Sequence, residues 1–191
     1  MEKQIKNSIL EISYNFKTMA QMAPQINQAT KMCIDALKKG NKVMFCGNGG
    51  SASQSQHLAA ELVGRYKLNR PAMNSIALTT DTSILTAVGN DYGYDTIFER
   101  QVQGIGKPGD VLIGLSTSGN SKNIVLAFDL AKKKNIKTIA LTGQKPSAMS
   151  EKSDLTLNVP SNITNNIQEM HLAIGHILCG LIEQEFYGKT K

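Results

Sequence analysis

The sequence predicts an α/β fold: a doubly wound parallel sheet of about five strands flanked by helices, with a helical pair ahead of it. Two observations carry this reading. From Val43 onward, short apolar runs alternate with helical stretches, and each run ends in a Gly- or Ser-rich turn. Strands separated by helices build a parallel sheet covered on both faces. Ahead of Val43 the apolar residues recur at the helical period instead.

The first helix is marked by Ile5, Ile9, Ile12, Phe16 and Met19. The second is marked by Ile26, Ala29, Cys33, Ala36 and Leu37, and stops at Gly40. Five apolar runs follow as strands: Val43–Cys46, Ile76–Leu78, Val111–Leu115, Thr138–Leu141 and Leu155–Val159. The last helix, from about Ile163 to Phe186, is long and amphipathic, with Ile167, Met170, Ile174, Ile177, Leu178 and Leu181 among its apolar positions. No internal repeat, low-complexity segment or linker interrupts the chain. Residues 1–191 are therefore expected to form one domain, with helices over 1–40 serving oligomerisation and a flavodoxin-like α/β core over 41–191.

Composition excludes several classes. Aromatics make up 5% of the residues and Trp is absent, so the core must come from Ile, Leu, Val, Ala and Met. No run approaches the roughly 18 consecutive apolar residues of a membrane span. The first twenty residues carry Glu2, Lys3, Lys6, Glu11 and Lys17 where a signal peptide would need an apolar stretch. A cytoplasmic protein with no membrane partner is expected, and Cys33, Cys46 and Cys179 are expected to be buried thiols in a reducing compartment. The net charge of +6 does not indicate nucleic acid. Lys38-Lys39 and Lys132 to Lys134 fall where helices end, where cations complement the helix dipole, and no aromatics are interleaved for base stacking.

In doubly wound sheets ligands bind beyond the carboxyl ends of the strands. Two loops there stand out. The first, Cys46-Gly47-Asn48-Gly49-Gly50-Ser51-Ala52, links a strand to a helix starting near Ser51. Its glycines permit a sharp turn and close approach of a ligand, and the helix N-terminus offers free amides to an anion. A purely structural tight turn is the alternative. The G-x-G-x-x-A match to a dinucleotide loop is weak, because no acidic residue follows about 20 positions on and Asp81 lies well beyond. The second loop, Leu115-Ser116-Thr117-Ser118-Gly119-Asn120-Ser121, places four hydroxyls around one glycine at a helix start. That exceeds what N-capping needs and suits a phosphate monoester. On the helix after the first loop, His57 and Glu61 stand four apart and share a face. They can reach one metal ion or one substrate, although a solvated surface pair has the same spacing. The last helix adds Gln168, His171 and His176, though a histidine on an apolar helix is more often a packed core residue.

With these motifs the chain resembles the phosphoheptose isomerases (sedoheptulose 7-phosphate isomerases) of the sugar-isomerase fold family. The likeness spans nearly the whole chain. It includes Cys46 to Ala52, Gln56-His57, Ala60-Glu61-Leu62, Gly64-Arg65-Tyr66, Gly89-Asn90-Asp91, Gly109-Asp110-Val111-Leu112, Ser116 to Ser121, Ile167 to His171, and His176. The resemblance implies that Asn48, Gly49, Gly50, Asn90, Asp91 and Gln168 hold the sugar, together with Glu61, while Ser116, Thr117, Ser118 and Ser121 hold its phosphate. It implies Glu61 as general base, His176 as acid–base partner, and a zinc ion on His57, Glu61, Gln168 and His176. The implied substrate is a phosphorylated seven-carbon ketose, and the implied product is D-glycero-D-manno-heptose 7-phosphate, a precursor of heptose in bacterial surface glycans. One departure is Asn166, where relatives carry Arg, so a charge at the sugar end of the site is expected to be missing and the exact substrate preference is open.

Aldose–ketose interconversion moves a proton between adjacent carbons through an enediol, using one base and acid help on the oxygens. Glu61 and His176 fit if they flank those carbons, with zinc as a Lewis acid on the carbonyl. Gln168 and His176 are eight residues apart, about 80° around the axis and about 12 Å along it. One ion chelated by both from a single helix would be strained, so an active site shared between subunits is expected. Broad apolar faces on the N-terminal and last helices point to a homotetramer. The alternative is a non-catalytic regulator of the same fold, of the replication-initiation type. Such relatives lack the acid and the histidine that are present here as Glu61 and His176.

Overall fold

The structure, a computed structural model, describes residues 1–188. Helix α1 (Glu2–Met19) passes through a single 3-10 turn (Ala20–Met22) into α2 (Ala23–Lys38). Pro24 sits in the first turn of α2, where its missing N–H would have had no helical partner. Gly40 ends α2 with φ of 77°, and the amides of Gly40 and Asn41 return to the carbonyls of Leu37 and Ala36.

The remaining elements alternate: β1 (Val43–Gly47), α3 (Gly50–Val63), β2 (Ser75–Ala77), α4 (Thr82–Tyr92), a 3-10 turn (Tyr94–Thr96), α5 (Ile97–Ile105), β3 (Val111–Leu115), α6 (Lys122–Lys133), β4 (Lys137–Thr142), α7 (Ala148–Lys152), β5 (Leu155–Asn158) and α8 (Thr164–Tyr187). The five strands form one parallel sheet in the order β2-β1-β3-β4-β5. This is the predicted flavodoxin-like winding, and the strand limits move by about one residue. Leu78, expected inside the second strand, lies just past β2, yet its amide still donates to the Phe45 carbonyl at 2.8 Å.

The two-residue period of the strands sorts the core into two layers. Val43, Phe45, Val111, Ile113, Leu115, Ile139 and Leu141 pack against α2, α3 and α8. Met44, Cys46, Leu112 and Ala140 pack against α5 and α6 on the other face. Because both faces are covered, β1 and β3 are buried at every position, which is why they read as unbroken apolar runs. Helix α2 belongs to this core through Ile26, Ala29, Cys33 and Ala36. Helix α1 largely does not: Ile5, Ile9, Leu10 and Tyr14 are each more than half exposed. On α8, Ile177 and Leu181 are also exposed, although they belong to the predicted apolar pattern. Among the described residues no helix is long and apolar enough to cross a membrane.

At the amino ends of the central strands, fully buried Asp110 accepts hydrogen bonds from the amides of Lys42 and Lys107, from Asn41, and from the Lys42 ammonium at 2.6 Å. Burial alone would raise this carboxyl; the Lys42, Lys107 and Asn41 bonds outweigh it and hold the group below the usual carboxylate value. The result is a charged clasp joining the starts of β1 and β3, at the end of the sheet away from the candidate loops.

His171 is fully buried on α8, and neither ring nitrogen closes a hydrogen bond. Burial pushes its pKa down from 6.5 to about 4, against a smaller upward effect of the Thr142 carbonyl. The folded state therefore keeps this imidazole neutral, while the unfolded chain takes up a proton near pH 6.5. Its contribution to stability is complete above pH 6.5 and is lost as pH falls toward 4. Urea midpoints measured from pH 7 to pH 4 should show His171→Leu losing less stability than the parent, by on the order of 3 kcal/mol over the window. Equal pH slopes would show that His171 does not titrate on unfolding.

Candidate active site

Strands β1 and β3 lie side by side, yet α3 packs on one face of the sheet and α6 on the other. Their following loops therefore border the crevice at the topological switch point. In the first loop, a Cβ on Gly47 would lie 2.6 Å from the Ser51 carbonyl oxygen, so only glycine lets α3 begin this close to the strand. Gly49 turns the chain with φ of 55°. Gln168 lies directly over this loop: a Cβ on Gly50 would meet its amide at 2.7 Å, and Gln54 donates to the Gln168 carbonyl at 2.8 Å.

The first loop is tied to the start of α6, just past the second loop, by a pair of amides. Asn48 Nδ2 donates to Asn123 Oδ1 at 3.0 Å, and Asn123 Nδ2 returns a bond to Asn48 Oδ1 at 2.9 Å. Tyr94 adds a third bond, its hydroxyl donating to Asn48 Oδ1 at 2.9 Å. Neither Asn123 nor Tyr94 is marked by any spacing in the sequence. In the second loop, Ser116 Oγ stands 2.8 Å from Ser121 Oγ and 3.4 Å from Ser118 Oγ, and it accepts the Gly119 amide at 3.1 Å. Ser121 occupies the N-cap position of α6 without using its side chain as a cap, so that hydroxyl turns into the loop. Thr117 and Ser118 open onto a cavity of about 300 Å³ that Lys145 also lines, which places a cation beside the hydroxyls.

Helices α3 and α8 bring three of the candidates together. His57 Nε2 lies 3.1 Å from Glu61 Oε1 and 2.9 Å from His176 Nε2. One ligand atom from each of the three falls within 4.8 Å of the others. The His176 ring is in turn stacked on Tyr66, with centroids 5.7 Å apart and 28° between planes. A single N–H on His57 can at best be split between the carboxylate and the second imidazole, so lone pairs converge here in excess of protons. Two imidazoles and a carboxylate are a plausible donor set for zinc, and tetrahedral bonds of 2.0–2.1 Å would put the donors ~3.4 Å apart. The residues present fit such an ion.

The other candidates are placed differently. The Gln168 amide lies at Gly50, two turns of α8 before His176. Asn90 and Asp91 are exposed near the end of α4, where Asn90 donates to Asp91 at 2.8 Å. Among the described residues neither bonds to any candidate beyond the other. Asn166 is buried and donates to Glu11 of α1 at 2.7 Å, so its side chain points at the N-terminal helix. Asp81 is spent as the N-cap of α4, accepting the Ile84 amide at 2.9 Å.

A family model of the SIS domain matches residues 10–143. The phosphoheptose isomerase of Akkermansia muciniphila is 63% identical over 98% of this chain and 100% of its own length. That of Sulfurimonas denitrificans is 50% identical over 98% and 96%. Among solved structures, the phosphoheptose isomerase of Francisella tularensis superimposes with a TM-score of 0.92 at 38% identity, covering 95% of this chain and 97% of that one. The enzyme from Neisseria gonorrhoeae gives 0.90 at 37% identity, over 96% and 98%. Identity at this level over the full length, together with the five-stranded sheet and its two loops, settles the family: the chain belongs to the phosphoheptose isomerases, sugar-phosphate isomerases built on the SIS domain.

Proposed function

We propose that the chain interconverts sedoheptulose 7-phosphate and D-glycero-D-manno-heptose 7-phosphate through an enediol, in the cytoplasm, to supply heptose for bacterial surface glycans. The observation that carries the reading is the convergence of His57, Glu61 and His176 from α3, the helix that the glycine loop opens, and α8.

The phosphate is held by Ser116, Thr117, Ser118 and Ser121, whose hydroxyls already crowd one turn, with loop amides completing the cradle. Asn48, Gly49, Gly50 and Gln168 line the sugar end, where the absence of side chains at the glycines lets hydroxyls approach the backbone. Glu61 removes the carbon-bound proton, and His176 donates to and accepts from the neighbouring oxygens as the double bond moves. Glu61 is only one-fifth exposed, a setting with fewer waters to compete for its lone pairs than a surface carboxylate has. The stacked Tyr66 ring keeps His176 from swinging out of line. His57, Glu61, Gln168 and His176 would hold zinc, and the ion would supply Lewis acidity at the sugar oxygens.

Asn90 and Asp91 point into solvent, which supports a site completed by a second subunit. The uncovered apolar positions on α1, with Ile177 and Leu181 of α8, offer the surface for a homotetramer. Light scattering should therefore give a mass four times that of the chain, and a monomer at micromolar concentration would remove the shared site. Incubation of the purified protein with sedoheptulose 7-phosphate should yield the aldose 7-phosphate by NMR. Treatment with a chelator should abolish turnover, and added zinc should restore it. Absence of the aldose would refute the substrate, and turnover that survives chelation would leave the three side chains as acid–base groups alone.

A further inference from the structure

Between α3 and β2 the chain crosses over the C-terminal half of α8, and there it contains a buried ion pair. Arg70 Nε donates to Glu183 Oε1 at 3.1 Å, with the two side chains 1% and 2% exposed. A buried pair is costly unless its remaining protons and lone pairs are also met. Here they are. Glu183 further accepts the backbone amides of Tyr66, Lys67 and Leu68 at 3.0, 2.8 and 2.9 Å. Arg70 donates to the carbonyls of Glu61 at 2.8 Å, Leu62 at 2.6 Å, Pro71 at 3.0 Å and Gly64 at 3.3 Å. Burial pushes the Glu183 carboxyl up, but the three amides and Arg70 hold it below its usual value, so it stays charged.

What the pair joins matters more than its strength. The carbonyls taken by Arg70 belong largely to the last turn of α3, where helical partners run out. That helix carries His57 and Glu61. Glu183 lies seven residues, two turns, beyond His176 on α8. Tyr66, the first residue held by Glu183, is the ring stacked on His176, and it also lies against Gly180, where a Cβ would come within 3.0 Å of it. Elsewhere α3 meets α8 through the Gln54–Gln168 hydrogen bond near the start of both helices and through apolar surfaces such as Leu58 over Gly175. The apolar contacts are non-directional and by themselves would let the helices slide. The polar clasp adds fixed directions beyond Glu61 and His176, at the opposite end of the helix pair from the Gln54 bond.

We propose that Arg70 and Glu183 are positioning residues of the isomerase site: their pair sets the register of α3 against α8, and with it the placement of Glu61 relative to His176. The proposal rests on the reading of Glu61 and His176 as the reacting pair.

Arg70→Lys tests it, since lysine keeps a cation for Glu183 but cannot span the carbonyl fork. Well below its melting temperature the variant should lose 10- to 100-fold in kcat, the range for partners that orient reacting groups, with KM for the sugar phosphate changed less than threefold. The His176 ring-proton resonances, displaced by the stacked Tyr66, should move toward the values of an exposed histidine. Val102→Ala, in the core on the far face of the sheet, supplies a control of reduced stability with kcat and His176 resonances unchanged. Should Arg70→Lys not fold, Glu183→Gln carries the same expectations, because it keeps the shape and removes the charge. A folded variant with parental kcat and His176 resonances overturns the proposal. So does a kcat loss matched by Val102→Ala at equal loss of melting temperature. If the parent protein itself turns over no sugar phosphate, the functional reading fails, while the His176 resonances still decide whether the clasp positions that ring.

Discussion

Two parallel strands that lie side by side while their helices depart to opposite faces leave a crevice that backbone alone cannot fill. In this protein those strands are β1 and β3, and every candidate for chemistry depends on that divergence. The first loop must turn tightly enough to start α3 at once, which demands glycine at Gly47. The second must start α6 on the other side and turns its N-cap hydroxyl into the loop, against Ser116. The Asn48–Asn123 amide pair bridges the first loop to the start of α6, so the width of the crevice is fixed by hydrogen bonds as well as by strand spacing.

A crevice between two loops binds but does not by itself react. Helix α8 supplies the rest by crossing close to α3, so that His176 meets His57 and Glu61 at one end while Gln168 covers the glycine loop at the other. The crossing depends on Gly175, where a Cβ would press to 2.4 Å of Leu58, and on the Glu183–Arg70 contact further along. In the proposed mechanism a single helix thus serves both the sugar end and the proton-transfer end of the site. The reach of each end is set by helical rise.

Much of this was legible in the sequence because burial on both faces leaves a plain mark. Strands β1 and β3 are apolar throughout, and the loops after them concentrate glycine and hydroxyls beyond what turns or caps require. The His57–Glu61 pair was visible from its spacing. That His176 would join it came only from the family resemblance and not from spacing, since the meeting depends on how α8 docks. The Asn48–Asn123–Tyr94 link and the Arg70–Glu183 clasp join residues dozens of positions apart with no periodic signal, and only the folded chain reveals them. The apolar faces of α1 and α8 were also legible as helix patterns. Their period, however, cannot say whether the same chain or another covers Ile5, Ile9, Ile177 and Leu181.

In the proposed mechanism Glu61 is the residue on which the chemistry turns. Replacing it with Gln keeps the shape and removes the base, so the steady-state turnover of Glu61→Gln on sedoheptulose 7-phosphate is the most direct test. A fall of about 10² to 10⁴ in kcat is expected for loss of a general base. The melting temperature should barely move, because the carboxylate is partly exposed and outside the packed layers. Turnover within a few-fold of the parent would contradict Glu61 as the base and return the His57–Glu61 pair to a solvated helix face.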